Sequence, residues 1–150
     1  MPLEKTEDAI RAINIYRTRW IIERFHYTLK SGCKVENLQL EERKRLEVAI
    51  AIYNVVAWFL LWLTYLGREF NEKRSLFFLD ENEWKVLYKM ANKDKPLPNE
   101  PPTINEIVYM LGRIGGFIGR KSDGYPGVKT VWQGLIKLLI VLEYADTFST

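Results

Sequence analysis

The sequence predicts an all-α chain, a bundle of roughly five or six helices with a long apolar helix over residues 46–66 at its centre. Three observations predict it. Tyr16, Arg19, Glu23 and Lys30 recur at helical spacing. Val48 to Leu66 runs for nineteen residues without a charge, longer than a strand needs. Two later segments of helical period each open on a capping residue with a glutamate three places on, Asp80 with Glu83 and Thr103 with Glu106.

The totals fit one domain or two small ones: 150 residues, 47% hydrophobic, 13% aromatic, with a net charge of +3. That composition buries a core and excludes a disordered chain. The charge is uneven. Residues 11–34 hold six Lys/Arg against Glu23 alone, and residues 112–137 hold five against Asp123 alone. Two basic patches suit DNA phosphates, and ordinary surface charge gives the same pattern. Cys33 is the only cysteine, which excludes an internal disulfide or a cysteine metal cluster and fits a reducing cytoplasm. The first ten residues show no signal-peptide pattern.

The first helix begins near Thr6, Glu7 and Asp8, good starting residues, and continues through Ile10, Ile13 and Ile15 into YRTRWIIERFHYTLK. At about 100° per residue, Tyr16, Arg19, Glu23 and Lys30 fall on one stripe about 21 Å long. Ile21, Ile22, Phe25 and Leu29 form the opposite, packing arc. Ser31-Gly32 is the expected stop, glycine taking the left-handed conformation. The front reads in two ways. Arg19 and Glu23, four apart, make an ordinary surface ion pair. Alternatively, one acid among cations holds a metal ion against a phosphodiester, with the cations on the phosphates. His26, the only histidine, sits at the edge of the stripe and reads as a solvated surface residue or as support to Glu23.

These residues carry a resemblance. Tyr-x2-Arg-x3-Glu-x6-Lys, together with Arg19-Trp20-x-Ile22-Glu23 and Lys30-Ser31-Gly32, resembles the signature of bacterial cut-and-paste DDE transposases of the insertion-sequence type. The resemblance implies that Glu23 is the third metal-binding carboxylate of a ribonuclease-H-like site. It implies that Tyr16, Arg19 and Lys30 contact phosphates of the transposon end.

Residues 33–45 read as a connector of undefined type. The helix over 46–66 is apolar all round, which suits a buried central helix or, by length, a membrane span. Asn54 at mid-length, and aromatics spread along it instead of gathered at the ends, speak for the core. The resemblance also places it behind the acidic helix. Asp80 then caps a helix with Trp84, Leu87, Tyr88 and Ala91 inward. Four prolines between Pro96 and Pro102 make a stiff connector, a soft boundary at residues 92–102. Thr103 caps a helix with Ile104, Ile107, Val108, Leu111 and Ile114 inward. Gly112, Gly115, Gly116 and Gly119 follow, small residues that let a neighbouring helix come close. A phosphate-cradling loop lacks here its preceding strand and its Gly-Lys-Ser/Thr order. SDGYPG is a turn. Val128 to Tyr144 is a last amphipathic helix, with Val131, Trp132, Leu135, Leu138, Leu139 and Leu142 as one apolar face, for core or for a partner.

LGRIGGFIGRKSDGYPGVKTVWQGLIKL resembles the subunit-pairing domain of the same transposases, with Gly-Arg-Lys, Pro-Gly and Trp-x-Gly-Leu in that order. The resemblance therefore implies residues 1–67 as the last helices of a catalytic core and residues 68–150 as a helical dimerisation domain. Two aspartates should precede the glutamate on strands, yet only Asp8 does, in a helical stretch. The expectation is a C-terminal fragment of an enzyme of DNA transposition and recombination. Its intact parent would use Mg²⁺ or Mn²⁺, and its partners would be transposon-end DNA and a second subunit. Alone it would be inactive and bind no metal. The rivals are a membrane-anchored helical protein spanning at 46–66 and a helical adaptor with no role on DNA.

Overall fold

The computed structural model describes residues 6–70 and 79–148, with side chains to residue 145. These residues are helical, with no β-strand among them. The order is α1 (Thr6–Tyr27), a π turn (Thr28–Gly32), a 3-10 turn (Val35–Asn37), α2 (Arg43–Glu69), α3 (Glu81–Ala91), α4 (Ile104–Ile114) and α5 (Val128–Phe148). Residues 71–78, inside the second expected unit, lie outside the described residues, as does the approach to α1 before Thr6.

The two capping boxes form as their sequences require. Asp80 accepts from the Glu83 amide while the Glu83 carboxylate accepts from the Asp80 amide, each at 2.8 Å. Thr103 and Glu106 repeat the exchange at 3.3 and 2.8 Å. Each box satisfies amides that a helix start leaves unpaired. It also fixes the phase of the helix behind it, so Trp84 and Leu87 of α3 and Ile104, Ile107, Val108 and Leu111 of α4 are buried.

α4 and α5 form the tightest pair. A Cβ on Gly115 would strike the carbonyl of Thr130, and one on Gly134 would strike that of Leu111, so the two backbones touch. Gly112 has no room for one either, with Pro126 against it. Gly116 and Gly119 serve differently, taking positive φ (102° and 73°) in the loop that follows α4. One core joins the described elements: Cys33, Ala57, Leu60, Leu63, Leu79, Trp84, Leu87, the α4 set, Val131 and Leu138.

α2 buries residues in this core along its C-terminal half, with Tyr53 and Val56 packing against it half-buried from the preceding turn. Ala57, Leu60, Leu63, Thr64 and Gly67 are buried. The N-terminal half leaves Val48, Ile52 and Val55 outward, the last at 69% exposure. Asn54, the polar residue at mid-length, donates one N–H to the Ile50 carbonyl of its own helix at 2.9 Å. α2 is long and apolar enough to cross a membrane, yet one face of its C-terminal half is buried in a helical core. The expected central helix is therefore central along half its length.

α1 departs further from expectation. It is continuous over 22 residues and buries none of them. Of its expected packing arc, Phe25 meets the core, as does Leu29 in the π turn, and Ile21 lines a concavity against α2 and the start of α5. Ile22 is exposed, as are Ile10, Ile13 and Ile15.

Candidate nucleic-acid interface

α1 carries Tyr16, Arg19 and Glu23 on successive turns, and the structure brings these three together. Arg19 donates through Nε and Nη2 to Glu23 Oε1, at 3.1 and 3.0 Å. Its guanidinium carbon stands 5.4 Å from the Tyr16 ring centroid, within cation–π range. Arg19 is thus held between an aromatic face and a carboxylate. The pair is open to solvent, 61% and 63% exposed, so water screens it and it adds little to stability. A shallow hollow beside it is lined by Tyr16, Arg17, Arg19, Trp20 and Glu23.

Lys30 does not join the stripe. α1 ends at Tyr27, and Thr28–Gly32 winds as a π turn, so the 100° spacing fails across it. Thr28, buried, donates to the Arg24 carbonyl at 2.9 Å, and its own carbonyl accepts the Cys33 amide. Gly32 is buried but is not the left-handed stop. That conformation falls to Lys34, at φ 54° and ψ 39°. The chain reverses there into the 3-10 turn, which brings Glu36 to Lys30 at 2.8 Å. The hydrogen bond that Lys30 donates to Glu36, and then the carboxylate's charge, hold the Lys30 ammonium above its usual lysine range.

Sequence reasoning had no means to find Glu36, because a partner six residues on fits no helical repeat. Gly134 did leave a signal: glycine inside a helix is costly and marks close approach. His26 is exposed, its ring edge-on to Phe25 at 5.8 Å. Burial pushes the Cys33 thiol upward, away from reactivity.

A second concavity, about 230 Å³, lies where α1, α2 and the start of α5 meet. Trp20, Trp58, Trp62 and Tyr65 supply its aromatic walls, with Arg24 and Arg68 at its edge. Trp20 also borders the hollow beside Glu23.

Among the described residues, no group of three or more His, Cys, Asp or Glu comes together to hold a metal. Glu23 is a single carboxylate already engaged by Arg19. These residues do not make a divalent-cation site by themselves, because two-metal phosphodiester chemistry needs several carboxylates around ions about 3.5–4 Å apart. What the arrangement offers is one exposed acid, flanked by cations and an aromatic ring on a rigid helix.

On α5 the expected apolar face divides. Val131 and Leu138 are buried, and Trp132, Leu135 and Leu142 pack on the core. Leu139 is 51% exposed and stands with Ile136, Ile140 and Tyr144 on the outer side.

Comparison with known families gives two matches, which overlap over residues 55–60. Residues 55–149 match the transposase Tn5 dimerisation domain. Residues 1–60 match the transposase DDE domain.

Proposed function

From the premise that this chain belongs to the DDE transposases with a Tn5-type dimerisation domain, we propose that α1 is a DNA-contacting, carboxylate-bearing helix and α5 the pairing helix. Members of this family act on DNA as paired subunits and use a divalent metal in the intact enzyme. Glu23 is the catalytic carboxylate that this chain contributes to that metal centre, with Mg²⁺ or Mn²⁺ as the ion. Tyr16, Arg19 and Lys30 contact phosphates of the transposon end. The observation that carries this reading is the Tyr16–Arg19–Glu23 unit. It stands exposed on a helix inside the DDE match, and the helix that carries it buries none of its residues.

The outward residues of α1 and of the N-terminal half of α2 support the same reading. Ile10, Ile13, Ile22, Val48, Ile52 and Val55 all fall within residues 1–60, the DDE match. They are the surface on which the aspartate-bearing sheet of a DDE domain would seat. That accounts for α2's exposed apolar half with a protein partner, where the rival reading calls for lipid.

The chain's own groups then act by position and charge. Arg19 is shared between Glu23 and a phosphate, and Tyr16 keeps its guanidinium from swinging away. The 150-residue chain should show no Mg²⁺- or Mn²⁺-dependent nicking of duplex DNA. Supplied with the sheet-bearing part of a DDE domain, it should cleave transposon ends, and Glu23→Gln should abolish cleavage while sparing end binding. Arg19→Ala and Lys30→Ala should each weaken binding and flatten its salt slope by about one unit. Nicking by the chain alone that disappears in Glu23→Ala, or an unchanged slope in both cation variants, would overturn the assignment.

A further inference from the structure

The segment from Thr28 to Asn37 packs two uncommon backbone states, a π turn and a left-handed lysine, together with a 3-10 turn into ten residues. π turns and left-handed non-glycine residues are uncommon, persist where the surroundings hold them, and gather at functional sites. The surroundings hold these. Thr28 and Gly32 are buried, and a Cβ on Gly32 would lie 3.6 Å from Thr28 Cγ2 and 3.8 Å from Val128 Cγ2 of α5. Asn37 and Leu38 close the 3-10 turn onto the carbonyls of Lys34 and Val35, at 2.9 and 3.2 Å. The product of this build is a single outward contact, Lys30 Nζ to Glu36 Oε1 at 2.8 Å. Both side chains are more than half exposed, so the pair braces no core.

We infer that Glu36 is a built-in competitor for Lys30, occupying the ammonium in place of a DNA phosphate and so setting how tightly this surface takes DNA. The inference rests on the reading of Lys30 as a phosphate contact. A carboxylate oxygen at 2.8 Å offers the ammonium the same charge-assisted hydrogen bond as a phosphate oxygen. Fixed by its turn, Glu36 meets Lys30 without a search. A phosphate must displace it, and the freed carboxylate then sits beside DNA of its own sign. The hydrogen bond and charge that strengthen the hold on the Lys30 proton are those that DNA must replace.

The test is a double-mutant cycle on the 150-residue chain, read by fluorescence anisotropy of a labelled blunt DNA duplex at low salt. Glu36→Gln keeps the shape and removes the charge. It should tighten binding by about two- to fivefold, the scale of an exposed ion pair, and the gain should vanish in the Lys30→Ala background. A gain of equal size with Lys30 absent would show Glu36 repelling DNA at large and would overturn the inference. Looser binding in Glu36→Gln would overturn it too, by showing that Glu36 positions Lys30 for DNA. If Lys30→Ala changes nothing in either background, the phosphate reading of Lys30 falls, and the inference with it. If Lys30→Ala weakens binding but Glu36→Gln leaves it unmoved, the reading of Lys30 stands and the competition alone is refuted. Helix content by circular dichroism should be unchanged in all variants, since neither side chain is buried.

Discussion

Tyr125 shows how one side chain records both packing and its cost. Its hydroxyl is buried without a hydrogen-bond partner. Its ring lies under Arg68, 4.7 Å from the guanidinium carbon, and edge-on to Tyr109 at 5.2 Å. Burial pushes its pKa up to about 12, with Arg68 pulling the other way. An unpaired buried hydroxyl is unfavourable, so Tyr125→Phe, which keeps the ring contacts, should be neutral or stabilising by up to about 1 kcal/mol at neutral pH. Urea melts check this. The folded state favours the neutral phenol, so below about pH 10 the group gives no pH dependence. Between about pH 10 and pH 12 the unfolded chain ionises first and stability falls. The phenylalanine variant should fall less over that window; an identical decline would refute the assignment. At the same scale, Tyr16, Arg19 and Glu23 were legible because spacings of three and four residues keep one face throughout an α-helix. Lys30 was legible as a residue but not as a position, because the π turn breaks the spacing between Tyr27 and Lys30.

At the scale of elements, sequence and structure agree most where a backbone rule is local. Asp80–Glu83 and Thr103–Glu106 each close within four residues, so α3 and α4 start where their caps say. α2 starts three residues ahead of the expected 46, at Arg43, where no side chain caps it and the pairs Arg43–Glu47 and Arg45–Glu42 occupy its first turn instead. The α4–α5 contact was half legible. Glycines after Leu111 announced a close neighbour, but which glycines touch depends on the crossing point, a property of two helices at once. That crossing yields a prediction. Gly134→Ala and Gly115→Ala each drive a Cβ into a backbone carbonyl of the other helix. Backbone cannot swing aside as a side chain does, so each should lose about 1–3 kcal/mol in denaturant unfolding. Gly32→Ala is the matched control, because its Cβ would make only ordinary contacts. Equal losses in all three would mean that helix approach is not what the glycines serve.

For the molecule as a whole, the decisive feature is that, among the described residues, two stretches of open apolar surface fall in different family matches. One covers α1 and the first half of α2, inside the DDE match; the other is the outer side of α5, inside the dimerisation match. The sequence foretold an apolar α5 but not its division. Val131, Leu135, Leu138 and Leu142 are spent on the core, so on the proposed reading pairing falls to Ile136, Leu139, Ile140 and Tyr144, which are left exposed. A helix with apolar residues on both sides needs a second cover, and a like helix from another subunit supplies the same stripe in return. Leu139→Asp and Ile140→Asp should therefore abolish concentration-dependent association in light scattering while leaving helix content and the melting transition in place. Val48→Asp and Ile52→Asp, on the other surface, should leave association intact and instead block docking of the sheet-bearing part of the DDE domain. If the α2 variants become monomeric and the α5 variants still pair, the two surfaces have been assigned the wrong way round.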